Sequence, residues 1–154
     1  MTMYHFAYGS NMNINELKKY ITSDVKIIGV GYLDNYIFRY RKIKGRKLLA
    51  KGNIEKRNGS KVYGLVFEIN SSLEKLHKKE GVFNDTTDIY QVEVFNITLL
   101  KNKKNIRCFS YIMTKNAIDQ IGRPSEEYKN NIVKIAIKYD FPLQYIKTKL
   151  DIDH

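Results

Sequence analysis

Glycine recurs inside stretches that otherwise read as strand. Val25 to Leu33 is apolar and carries Gly29 and Gly31, and Gly64 interrupts the run from Lys61 to Ile69. A glycine within a strand weakens it, and it usually marks a bulge, a bend or a close backbone approach. Several such strands constrain the chain towards a sheet that curls. Period-two alternation supplies the other strands. Tyr4, Phe6 and Tyr8 share one face, and Tyr36, Phe38 and Tyr40 alternate with Ile37, Arg39 and Arg41. Leu48 to Glu55 and Lys61 to Ile69 flank Asn58-Gly59, a hairpin signal. Ile89 to Leu100 and Ile106 to Met113 flank a polar turn, and 114–124 reads as a loop.

Helices are short and interleaved. Asn13 with Glu16, Ser71 with Glu74, and Ser125 each open one, the first two with capping-box spacing. Gly81 suits a left-handed cap after Glu80. The helix after Ser125 turns Tyr128, Ile132, Ile135, Ala136 and Tyr139 to one side; Asp140-Phe141-Pro142 interrupts it before a last helical piece. The expected class is α+β: a small mixed, mostly antiparallel curled sheet or barrel with flanking helices. At 154 residues the chain is read as one domain, 1–154.

The formal charge is +11, from 27 Lys and Arg against 16 Asp and Glu. The basic residues are spread over strand ends and turns, with no recognition helix or aromatic RNA-binding motif, so nucleic acid is not the expected partner. No apolar run is long enough to span a membrane, and the N-terminus lacks a charged-then-apolar leader. The single Cys108 reads as a small core residue. A cytoplasmic protein, monomeric or homodimeric, is expected.

Two places carry candidate chemistry. The first is His5-Phe6-Ala7-Tyr8-Gly9-Ser10-Asn11-Met12, a strand that breaks into a turn before a helix. Such a corner is either plain structure or a nest of backbone N–H groups that favours an anionic oxygen. The second is Glu80. Leu73, Leu76, His77 and Glu80 stand at i, i+3, i+4 and i+7, so Glu80 faces the core side, with Lys75, Lys78 and Lys79 towards water. Burial disfavours a carboxylate's charge, and a helix C-terminus prefers cations. An inward carboxylate of this kind suits proton transfer, unless the helix frays and turns it outward. His77 reads as a satisfied boundary residue. No metal-ligand spacing, nucleotide loop or nucleophile elbow is present.

In order along the chain, Phe6 to Met12, Leu73 to Val82 and Pro124 to Lys129 resemble the γ-glutamylcyclotransferase family, and Val62 to Phe67 and Cys108 to Thr114 fit beside them. The resemblance covers about Tyr4 to Leu150. It implies a small mixed-sheet barrel that needs no cofactor or metal and releases 5-oxoproline from a small-molecule γ-glutamyl substrate. It implies Glu80 as the acid/base. It implies a substrate-binding loop of His5, Phe6, Ala7, Tyr8, Gly9, Ser10 and Asn11, with Tyr128 lining the pocket. Tyr8-Gly9-Ser10-Asn11 fits the general branch rather than the glutathione-specific one. Two departures stand out: His5 replaces a frequent aromatic, and the stretch from Glu80 to Tyr90 is longer, with a loop that would cover the site. A γ-glutamyl-ε-lysine isopeptide, glutathione itself or a biosynthetic γ-glutamyl intermediate are the alternative substrates, and a non-catalytic binding module or a basic nucleic-acid-associated protein is the alternative class.

Overall fold

The computed structural model describes residues 2–21, 24–47 and 49–152. Leu48, the expected first residue of a strand, lies outside them. The chain opens with β1 (Met3–Ala7), a 3-10 turn at Ser10–Met12 and α1 (Ile14–Lys18). Two long strands follow, β2 (Val25–Ile43) and β3 (Lys51–Ile69), then α2 (Glu74–Lys79). β4 (Tyr90–Leu99), β5 (Asn105–Met113) and a short β6 (Ile118–Ile121) lead to α3 (Glu126–Lys138) and α4 (Leu143–Tyr145), which continues as a π-helical turn, Ile146–Leu150.

The sheet closes on itself. β1 pairs with β3, β3 with β2, β2 with β4, β4 with β5, and β5 returns to β1, while β6 hangs on β2. The β1–β5 contact is parallel, with His5 opposite Phe109, and the other pairings described are antiparallel. This is a five-stranded mixed barrel with few flanking helices, the α+β class expected from the glycine pattern. Its core includes Phe6, Phe38, Tyr40, Leu65, Phe67 and Ile97, each at most 2% exposed. The C-terminal turn plugs one side, where the Tyr40 hydroxyl donates to the Leu150 carbonyl at 2.8 Å.

Closure depends on Gly31. It pairs with Gly64 on one side and Leu99 on the other. A Cβ there would sit 2.6 Å from Ile97 Cγ2 and 3.1 Å from Val66 Cγ2, so a side chain would hold the seam open. Gly29 marks a register shift in β2, the bulge expected of a curled strand.

Several local expectations change. Val25–Leu33 and Tyr36–Arg41 form one strand, bulged at Asn35, whose φ is +63°. Asn58-Gly59 does not join two neighbouring strands. Both of its flanks pair with β2, so it is an outward bulge of β3, held by the Gly59 N–H donating to Asn35 Oδ1. The 114–124 segment contains β6, because Ile118 and Ile121 find the free edge of β2. Ser71 does not cap α2: the N-cap is Leu73, and Ser72 Oγ accepts from the Glu74 N–H. Asn13 and Ser125 do cap their helices through side-chain oxygens.

Candidate active site

β1 runs between β3 and β5 and delivers His5 to Tyr8 to one end of the barrel, where the chain turns through Gly9, Ser10 and Asn11. α2 brings Glu80 to the same place. Its end is fixed by a Schellman cap: the Val82 N–H donates to the His77 carbonyl, the Gly81 N–H to the Lys78 carbonyl, and Gly81 takes φ +77°. α3 adds Tyr128 from its first turn, where the Ser125 side chain caps the Tyr128 N–H.

One cavity is lined by His5, Phe6, Ala7, Tyr8, Gly9, Ser10 and Asn11 together with Glu80 and Tyr128. The residues expected at the site, His5 to Asn11 with Glu80 and Tyr128, therefore line the same cavity. Gly52, Tyr90, Ser110 and Tyr111 line it as well. Tyr111 shares the alternation of a buried strand, and Gly52 and Tyr90 sit at strand starts, so no local pattern distinguishes these residues from framework.

Glu80 is bound to the turn. Its Oε1 accepts from Asn11 Nδ2 at 2.7 Å and from Lys79 Nζ at 3.1 Å, and Lys79 Nζ also donates to Asn11 Oδ1 at 2.9 Å. Its side chain is 14% exposed and that of Lys79 22%, so Lys79 does not face water as the helical pattern suggests. The correction has a physical cause. A largely buried carboxylate needs a paired charge and hydrogen bonds, and Lys79 is next to it at the end of a helix of only six residues. Glu80 Oε2 has no partner among the described residues.

Tyrosine hydroxyls are hydrogen-bonded around the cavity. Tyr128 accepts the Gly52 N–H at 3.0 Å, and Tyr90 donates to the Gly52 carbonyl at 2.8 Å. Tyr8 donates to the Tyr111 carbonyl. Burial pushes the Tyr128 phenol up to about 12 and those of Tyr8 and Tyr90 well above the ordinary value, so all three keep their protons at neutral pH. The Ser110 hydroxyl donates to the Phe6 carbonyl at 2.7 Å, which steadies β1.

His5 is 1% exposed and stacks on Phe109 with ring centroids 4.7 Å apart. Its Nδ1 lies 3.2 Å from the Phe109 carbonyl oxygen. A carbonyl only accepts, so Nδ1 carries the proton. Burial, with Lys79 and His77 adding to it, lowers the imidazole pKa to about 4. The ring is therefore neutral at pH 7, and Nε2 is a bare acceptor with no partner among the described residues. His77 meets the Tyr111 hydroxyl through Nδ1 at 2.8 Å and is satisfied, as a boundary histidine should be. Cys108 is fully buried, with its thiol pushed up to about 12. Among the described residues no group of three or more His, Cys, Asp and Glu is placed to hold a metal ion, and no helix is long and apolar enough to cross a membrane.

The model of the AIG2-like family matches residues 61–149. No curated protein matches the chain. Among solved structures, one described as a gamma-glutamyl cyclotransferase is 25% identical, with 100% of this chain and 91% of that one covered and a TM-score of 0.83. An uncharacterized protein from Homo sapiens is 26% identical over 99% of this chain and 90% of its own, with a TM-score of 0.82. A yeast gamma-glutamyl cyclotransferase specific to glutathione is 10% identical over 99% and 91%, with a TM-score of 0.56, and shares the fold alone. The chain belongs to the AIG2-like family and has the γ-glutamylcyclotransferase fold.

Proposed function

We propose that the protein is a cofactor-independent γ-glutamylcyclotransferase that releases 5-oxoproline from γ-glutamyl amino acids or related amides. The observation that carries this reading is the 2.7 Å bond from Asn11 to Glu80, which joins the turn after β1 to the carboxylate at the end of α2 inside one cavity. The gamma-glutamyl cyclotransferase likeness at 25% identity and TM-score 0.83 supports it.

The chemistry asks little of a protein. A γ-glutamyl amide holds its nucleophile, the α-amine, and its electrophile, the γ-carbonyl, in one molecule. Well-oriented intramolecular attack supplies on the order of 7–11 kcal/mol of the barrier. A placed carboxylate adds about 10²–10⁴-fold through proton transfer. In this reading Glu80 takes a proton from the α-ammonium, and the freed amine attacks the γ-carbon. The tetrahedral intermediate collapses with cleavage of the amide C–N bond, and the Glu80 carboxyl gives its proton to the departing nitrogen. The attacking nitrogen sheds a second proton as it becomes the lactam N–H, and the released amine gains one in becoming an ammonium.

The remaining residues position the substrate. Ser10 opens a 3-10 turn, whose first N–H groups lack intrahelical partners and suit an anionic oxygen of the glutamyl group. His5, with its Nε2 shielded from solvent, stays behind the site and holds β1 in place by its stack on Phe109. Phe6, Ala7 and Tyr8 form the wall against the glutamyl methylenes, and Tyr128, whose hydroxyl stands beside Gly9 and Gly52, orients the chain. The test is to incubate the protein with γ-glutamyl dipeptides and measure 5-oxoproline. Release is expected, and none from any γ-glutamyl compound would overturn the reading.

A further inference from the structure

Beside the cavity, and sharing Ser10, Glu80, Tyr90 and Tyr128 with it, lies a larger groove of about 490 Å³. Small-molecule sites commonly span roughly 300–1,000 Å³. With the glutamyl half in the cavity, as the proposed function has it, Glu80, which lines both spaces, puts the amine half in the groove. Arg46, Lys51, Lys78 and Lys79 line it, against Glu16 and Glu80. Most of these charges are spoken for: Lys78 pairs with Glu74 at 3.5 Å, Glu16 with Lys19 at 2.7 Å, and Lys79 with Glu80 at 3.1 Å. Among the described residues, Arg46 and Lys51 form no salt bridge. Lys51 Nζ sits 4.4 Å from the centre of the Tyr128 ring, within the site. Burial and the Lys79 charge lower the Lys51 ammonium below its ordinary value, while Glu80 opposes them. A second cation there would add to the repulsion, and an anion would relieve it. The remaining wall is apolar: Ile43, Phe83 (50% exposed) and Ile89.

Resting on the cyclotransferase reading, we propose that this groove selects an anionic leaving amine: Lys51, with Arg46, binds a carboxylate on the amine half, and Ile43, Phe83 and Ile89 take its apolar side chain. Amines with a second positive charge, such as a polyamine, are disfavoured by the same residues. The specificity is then electrostatic, set by the start of β3 and the β2–β3 turn, and separable from the chemistry at Glu80.

The experiment compares kcat/KM for γ-glutamyl-leucine, its decarboxylated counterpart γ-glutamyl-isopentylamide, and γ-glutamyl-putrescine. The wild type should favour γ-glutamyl-leucine over the isopentylamide by about tenfold or more, with putrescine lowest. In Lys51→Met the leucine-to-isopentylamide ratio should fall to within about threefold, mainly through KM on γ-glutamyl-leucine, and Lys51→Arg should restore it. A wild-type ratio near one, a preference for putrescine, or an unchanged ratio in Lys51→Met overturns the anion assignment while leaving the cyclotransferase reading intact. No 5-oxoproline from any of the three overturns both.

Discussion

His5 has one ring nitrogen on the Phe109 carbonyl and the other left as a bare acceptor, and this split has consequences that can be measured. Unfolded, the imidazole takes a proton below about 6.5, whereas folded it does so only below about 4. Between those values the unfolded chain binds more protons, so stability falls as pH drops from 6.5 towards 4, by about 3 kcal/mol from this residue. His77, also lowered by burial, adds in the same direction. His5→Phe keeps the stack on Phe109 and removes the titration. Urea unfolding at pH 7 and pH 4.5 should show a smaller acid loss in the variant; an equal acid loss would show that His5 does not titrate this way. Tyr128→Phe strips the acceptor from the Gly52 N–H, at a cost of about 1 kcal/mol in thermal unfolding. At this scale Glu80 was legible, because its spacing from Leu73 and Leu76 put it on the buried side. Lys79 was not, because it turns inward to a cluster made by the neighbouring Glu80 and by Asn11, 68 residues away.

The elements show why glycine was the more informative signal. Gly64 lies beside the end of β1, and a Cβ there would come within 2.5 Å of the Ala7 carbonyl oxygen and 2.7 Å of Phe6 Cε1. Gly64→Ala should therefore destabilise by about 1–3 kcal/mol and lower turnover, since backbone of the binding strand must shift. Gly31→Ala strains the seam to Ile97 instead and should lower the melting temperature with a smaller loss of turnover per unit of destabilisation. A denaturation curve and a rate for each variant check this; equal loss of turnover in both would mean that Gly64 has no special link to the site. Bends were readable from these glycines, whereas strand lengths were not. The bulge at Asn35 resets the alternation, so one strand reads as two, and Asn58-Gly59 carries a hairpin's local chemistry while both flanks serve the same partner.

For the whole molecule, closure decides where function can sit. β1 meets both β3 and β5, and the resulting ring carries the turn after β1, the end of α2 and the first turn of α3 to one end. None of those pairings is local, which is why the set of site residues could be named from motifs and resemblance while their contacts could not. The +11 charge is likewise a property of the whole surface, and only Lys79 and the groove cations bring it to the site. In the proposed reaction Glu80 moves the protons. The direct measurement is 5-oxoproline release from a γ-glutamyl dipeptide by wild type and by Glu80→Gln, with thermal unfolding and substrate binding recorded for both. A loss of about 10²-fold or more in rate is expected, with fold and binding largely kept. Undiminished turnover in Glu80→Gln would contradict it.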